Sequence, residues 1–111
     1  SVLHELATNA YKFGALSTSE GEVDLHWNLA SEGEANHVRI VWTERGGPLV
    51  RSPSRKGLGS RIISRGLPNA TIDLRFEPGG VVCTINLELA KKKPEAKLEA
   101  PAKGAEQRHA V

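Results

Sequence analysis

Leu3, Leu6, Ala7, Ala10 and Phe13 recur every three to four residues at the start of the chain, with polar side chains between them. That period gathers the apolar groups on one face of a helix, and Gly14 stands where a C-cap would end it. A polar stretch, Ser17 to Gly21, follows. Val23, Leu25, Trp27 and Leu29 then alternate with Asp24, His26 and Asn28, which is the period of a half-buried strand. Ser31 to Asn36 is a break rich in turn formers. Val38, Ile40 and Trp42 resume the alternation, so these two strands should form a hairpin. Arg45 to Lys56 is mostly Gly, Pro, Ser and Arg with little to bury, and reads as a loop. Gly57 to Arg65 returns to helical spacing through Leu58, Ile62 and Ile63, closed by Gly66 and Pro68. Ile72, Leu74 and Phe76 alternate, Pro78-Gly79-Gly80 turns, and Val81 to Leu89 is the last expected strand. The predicted order is helix, two strands, loop, helix, two strands: an α+β arrangement with one helical face.

After Leu89 the periodicity stops. Residues 90–111 are Lys, Ala, Glu and Pro with almost nothing apolar beyond Leu98. Such a segment buries too little to offset its ordering entropy. We therefore expect one ordered domain over residues 1–89 and a disordered tail over 90–111, with a frayed helix at most in Glu95 to Ala100. A chain of 111 residues has room for one small domain. Ser1-Val2-Leu3 enters the helical pattern directly and without a Met, as a piece of a longer polypeptide cut inside or just before a helix would.

Composition narrows the functional classes. The formal charge is +2, and much of the basic excess lies in the tail, which argues against a dedicated nucleic-acid-binding face. The single cysteine, Cys83, has no internal disulfide partner, and its apolar strand setting predicts a buried thiol in a reducing compartment. No apolar run has the length of a membrane span and no signal-peptide pattern appears, so a soluble, cytoplasmic segment is expected. His4, His26, His37 and His109 show no metal-ligand spacing, and neither a Walker-type loop nor a serine nucleophile elbow is present.

The candidate chemistry lies in three stretches. Glu5 and Asn9 are four residues apart and Lys12 follows three later, so all three share roughly one helix face. Magnesium prefers oxygen ligands and keeps several waters, so the Asn9 amide oxygen together with nucleotide phosphates could hold it. Glu5 could orient or deprotonate a nucleophile or hold a metal-bound water, and Lys12 could offset phosphate charge. On this reading Asn9 is exposed in a cleft; a solvated polar face is the plainer alternative. Gly57-Leu58-Gly59 opens the second helix, where glycines permit close backbone approach and free amides attract anions. Arg51, Arg55 and Lys56, in the loop before it, could fold over phosphates as a lid. A simple turn is the alternative. Glu44, at a strand end before Arg45-Gly46-Gly47, could accept a hydrogen bond from the exocyclic amine of adenine while the glycines admit a flat base. An exposed acid on a tight turn is the alternative there. Trp42 continues the Val38–Ile40 stripe and reads as core, whereas Phe13 is open to base stacking or to core packing.

His4-Glu5-Leu6-x-x-Asn9-Ala10, Trp42-x-Glu44-x-Gly46-Gly47-Pro48 and Gly57-x-Gly59-Ser60-Arg61, in that order, resemble the ATP-binding domain of the HWE-type sensor histidine kinases. The resemblance runs from about Leu3 to Leu89. It implies a two-layer α/β sandwich of the GHKL, or Bergerat, ATP-binding type, N-terminally truncated because the first strand and the start of the first helix are missing. It also implies a transferase of two-component signal transduction. The γ-phosphoryl of ATP would pass to a histidine on a separate dimerisation domain, not contained in this chain, and then to the receiver domain of a response regulator. Residue by residue, Asn9 would ligate Mg2+ and Lys12 would reach the phosphates. Phe13 would stand near adenine, Glu44 would accept its amine, and Gly46 and Gly47 would line the base pocket. Gly57, Leu58 and Gly59 would form the phosphate turn. Glu5 matches the carboxylate that activates water in GHKL ATPases. Two other readings stay open: a GHKL-type ATPase or anti-sigma serine kinase, and a non-catalytic nucleotide-binding or interaction remnant that has kept the fold as a binding surface. Neither nucleic acid nor membrane is expected as a partner.

Overall fold

Ser1 begins the first helix by capping it: its hydroxyl accepts from the His4 N–H at 3.2 Å. Helix α1 runs Val2–Phe13, with Glu5 in its first turn and Lys12 in its last, the charge order that suits the helix dipole. Gly14 is its C-cap and donates its N–H to the Ala10 carbonyl. The computed structural model describes residues 1–48, 57–64, 68–90 and 106–110, excepting the side chains of 63, 64 and 106–110. A short 3-10 turn, Ala15–Ser17, which the hydrophobic pattern does not announce, follows α1. Then come β1 (Glu22–Glu32), β2 (Ala35–Arg45), α2 (Leu58–Ser64), β3 (Ala70–Glu77), β4 (Gly80–Ala90) and β5 (Glu106–Ala110).

The strands form one sheet in the order β3-β4-β2-β1-β5, every neighbouring pair antiparallel. Strands β1 and β2 continue further into the expected break than the alternation suggested. They close on Glu32 opposite Ala35, leaving Gly33, at φ +60°, and Glu34 as a two-residue turn. Pairing stacks apolar residues in rows across the sheet. Leu25 faces Trp42, Trp42 faces Cys83, and Cys83 faces Leu74; Ile40, Ile85 and Ile72 form the next row. Leu6 and Ala10 of α1 and Leu58 and Ile62 of α2 join Val23, Trp42, Val81, Cys83 and Ile85 in one buried cluster. Both helices therefore lie over the same sheet face, and the apolar stripe of each is spent on that face.

Residues 106–110, expected within the disordered tail, pair instead with β1 from Asp24 to Asn28. Side-chain burial alone gives no reason for order there. An edge strand offers its main chain, and pairing there asks nothing of side-chain composition. Residues 91–105 and 111 lie outside the described residues, as do the loop cations Arg51, Arg55 and Lys56.

Candidate functional site

Helix α1 turns Asn9 inward. The residue is 3% exposed, not open to a cleft as its polarity suggested, and in the helical wheel it lies between Glu5 and buried Leu6. Neither its Oδ1 nor its Nδ2 has a hydrogen-bond partner among the described residues. A buried amide left in that condition costs about 1–3 kcal/mol. One turn earlier, the Glu5 side chain is largely shielded and meets Arg61 of α2, with Oε2 3.3 Å from Nε. Arg61 begins one turn after Gly57, whose carbonyl accepts the Arg61 N–H at 3.0 Å. A Cβ built on Gly57 would also lie 3.0 Å from Nη1 of Arg61. Glu5, Arg61 and Gly57 thus form a continuous seam between the two helices, with Asn9 one turn further along α1. Sequence reasoning paired the two helices but missed Arg61, since only the fold brings it to Glu5.

The other expected residues divide. Lys12 and Phe13 are exposed at the end of α1. Leu58, placed by sequence in the phosphate turn, is fully buried in the core; only its backbone can belong to such a turn. Gly57 adopts φ +88°, a left-handed conformation that glycine enters without strain. At Gly59 an added Cβ would meet, among the described residues, only Leu74 Cδ2 at 3.7 Å, an ordinary contact that does not forbid a side chain there.

Glu44 is buried at 2% exposure, not an exposed acid on a turn. Its Oε1 accepts from the Ala15 N–H at 3.1 Å and its Oε2 from the Trp42 indole N–H at 3.0 Å. Trp42 is core, at 6% exposure. The x between Trp42 and Glu44 has a physical reason: residues two apart on a strand share a face, so the indole can reach the carboxylate. Gly46 and Gly47 also have reasons internal to the protein. A Cβ at Gly46 would lie 2.6 Å from the Glu20 carbonyl oxygen, and one at Gly47 2.7 Å from Ala15 Cα. Beyond them, Arg45 Nη1 lies 3.4 Å from Oδ2 of buried Asp24. This end of the sheet is therefore a close backbone packing around a buried carboxylate, organised by the 3-10 turn.

Among the described residues no group of three or more His, Cys, Asp or Glu side chains could hold a metal ion. A single amide oxygen with phosphate and water ligands is a different kind of site, and the orphaned Asn9 amide fits that requirement. No helix of the described residues is long and apolar enough to cross a membrane. Burial, and after it the Asp73 charge, pushes the Cys83 thiol up from 9.0 to about 11.

No family model matches the chain. Among curated proteins, a blue-light-activated histidine kinase of Brucella anthropi is 43% identical over 86 residues, 75% of this chain and 18% of its own length. The proteins of the same description from Brucella ovis and Brucella melitensis are 34% identical over 85 residues, 74% of this chain and 17% of theirs. The chain is related to the histidine kinases. It spans less than a fifth of the length of these histidine kinases, so the relationship belongs to a segment of them.

Proposed function

We propose that this chain is the ATP-binding catalytic module of a two-component sensor histidine kinase of the HWE type, with its helices and sheet forming a truncated GHKL sandwich. The observation that carries the reading is Asn9: a buried amide, without a partner among the described residues, on the helix face that also carries Glu5. A polar group is retained in such a place when something else completes it. The histidine-kinase relatives and the three ordered motifs support ATP and Mg2+ as what completes it.

In this reading Asn9 Oδ1 is the protein's ligand to magnesium, which when bound neutralises charge building on the phosphates. Lys12, exposed at the end of the same helix, is the cation that reaches toward the triphosphate. Gly57 and Gly59 leave room for phosphate oxygens to approach the chain. Glu44 acts as a support for the base pocket: by holding Ala15 and Trp42 it fixes the strand end and the glycine turn beside which adenine lies, with Phe13 as the exposed ring nearby. Catalysis of phosphoryl transfer is largely positioning and charge stabilisation, and these residues supply both. The acceptor is a histidine on the separate dimerisation domain, and a response-regulator receiver domain takes the phosphoryl group next.

The test is labelling with γ-phosphate-labelled ATP. The 111-residue chain should take up no label itself, and should label the acceptor histidine of a dimerisation domain added in trans. Label on any of its own four histidines, or none on the added domain despite ATP binding, contradicts the kinase reading.

A further inference from the structure

We infer that Arg61 is a positioning residue for the Glu5–Asn9 face of α1, holding the Glu5 carboxylate in an ion pair so that its charge does not oppose a magnesium triphosphate arriving beside Asn9. The inference rests on the nucleotide reading above and names a residue to which that reading gave no part. Arg61 Nε lies 3.3 Å from Glu5 Oε2, with the carboxylate side chain 15% exposed and the guanidinium side chain 45% exposed. A carboxylate that shielded, one helical turn from the proposed magnesium ligand, would repel phosphate oxygens through a medium that screens poorly. The cation that cancels it comes from the other helix, and Gly57 makes room for it: Nη1 lies where a larger residue's Cβ would press at 3.0 Å. Arginine suits the task because its charge is permanent and its planar fork can hold a carboxylate along one edge. The pair also ties α2 to the polar face of α1, although the apolar contacts of Leu58 and Ile62 already dock that helix. Charge cancellation, not docking, is therefore what Arg61 adds.

A double-mutant cycle read by calorimetry separates these roles. The chain and its Arg61→Gln, Glu5→Gln and doubly substituted forms are each titrated with Mg-ATP and, separately, with adenosine. Arg61→Gln should weaken Mg-ATP by roughly tenfold, the scale of a partly screened charge left uncancelled, and leave adenosine unchanged. Adding Glu5→Gln to Arg61→Gln should restore the affinity lost relative to Glu5→Gln alone. Loss that persists in the Glu5→Gln background would mean Arg61 acts on the ligand directly and would overturn the inference. Equal loss for adenosine would reduce Arg61 to a structural tie, and no loss would leave it without a role; either result overturns the inference too. If the wild-type chain binds adenosine but not Mg-ATP, or binds neither, the nucleotide reading itself fails first and this inference falls with it.

Discussion

Glu44 shows at the scale of one residue how a functional-looking acid can serve the fold. Two of its donors come from separate parts of the chain: Trp42 is two residues back on the same strand, and Ala15 is 29 residues away in the 3-10 turn. The first contact was within reach of sequence reasoning, since strand alternation puts residues 42 and 44 on one face. The second was not, because no local pattern links a strand end to a turn so far upstream. Glu44→Gln keeps the shape but replaces one acceptor oxygen with an amine donor, so the indole or the Ala15 amide must face a donor. The expected cost is about 1–3 kcal/mol, seen as a lower urea midpoint at unchanged slope. Stability equal to wild type would show that the buried carboxylate is not what fixes this corner. Asn9 was legible as a polar candidate, but its depth was not; the helix wheel set it between Glu5 and Leu6 without saying how closely it would be covered.

At the scale of elements, period and alternation predicted both helices and the first four strands, with boundaries shifted by a residue or two and the β1–β2 turn shorter than expected. Those signals come from burial of one face, and they are absent where burial does not decide. The 3-10 turn has few side chains to pattern, and β5 docks through its main chain on the edge of β1. Glycines make the same point, because their meaning depends on what the space beside them holds. Gly46, at φ +72° and against the Glu20 carbonyl, should not tolerate alanine: Gly46→Ala is expected to cost more than about 1 kcal/mol in urea denaturation. Gly59, within helix α2 and with only an ordinary contact to Leu74 for an added Cβ among the described residues, should: Gly59→Ala is expected to preserve or raise stability by up to about 1 kcal/mol. In the nucleotide reading Gly59→Ala nonetheless weakens Mg-ATP, because the methyl group stands where phosphate approaches. A Gly46→Ala protein as stable as wild type, or a Gly59→Ala protein that unfolds, would reverse the assignment of which glycine serves the fold.

At the scale of the whole molecule, the described residues form a sheet with two helices over one face, and its centre contains Cys83, paired across the strands with Trp42 and Leu74. The lone cysteine in an apolar strand was read from sequence as a buried thiol, and it is fully buried. Because folding raises its pKa from 9.0 to about 11, the folded state keeps a proton that the unfolded chain gives up first. The thiol's contribution to stability is therefore complete below pH 9.0 and is lost as pH rises toward about 11. Urea midpoints measured from pH 8 to 11 should fall more steeply for wild type than for Cys83→Ala, whose lower stability lacks this component; equal slopes would refute it.

In the nucleotide reading the buried amide of Asn9 on α1 is kept for a magnesium nucleotide, and a single calorimetric comparison decides whether it is. ATP is titrated into wild type and Asn9→Ala, each with magnesium and with EDTA in its place. Asn9→Ala should be no less stable than wild type, since it removes a buried polar group without a partner among the described residues. It should lose the gain in ATP affinity that magnesium gives the wild-type chain. An Asn9→Ala protein that binds ATP with the same affinity and the same magnesium dependence as wild type would contradict the account.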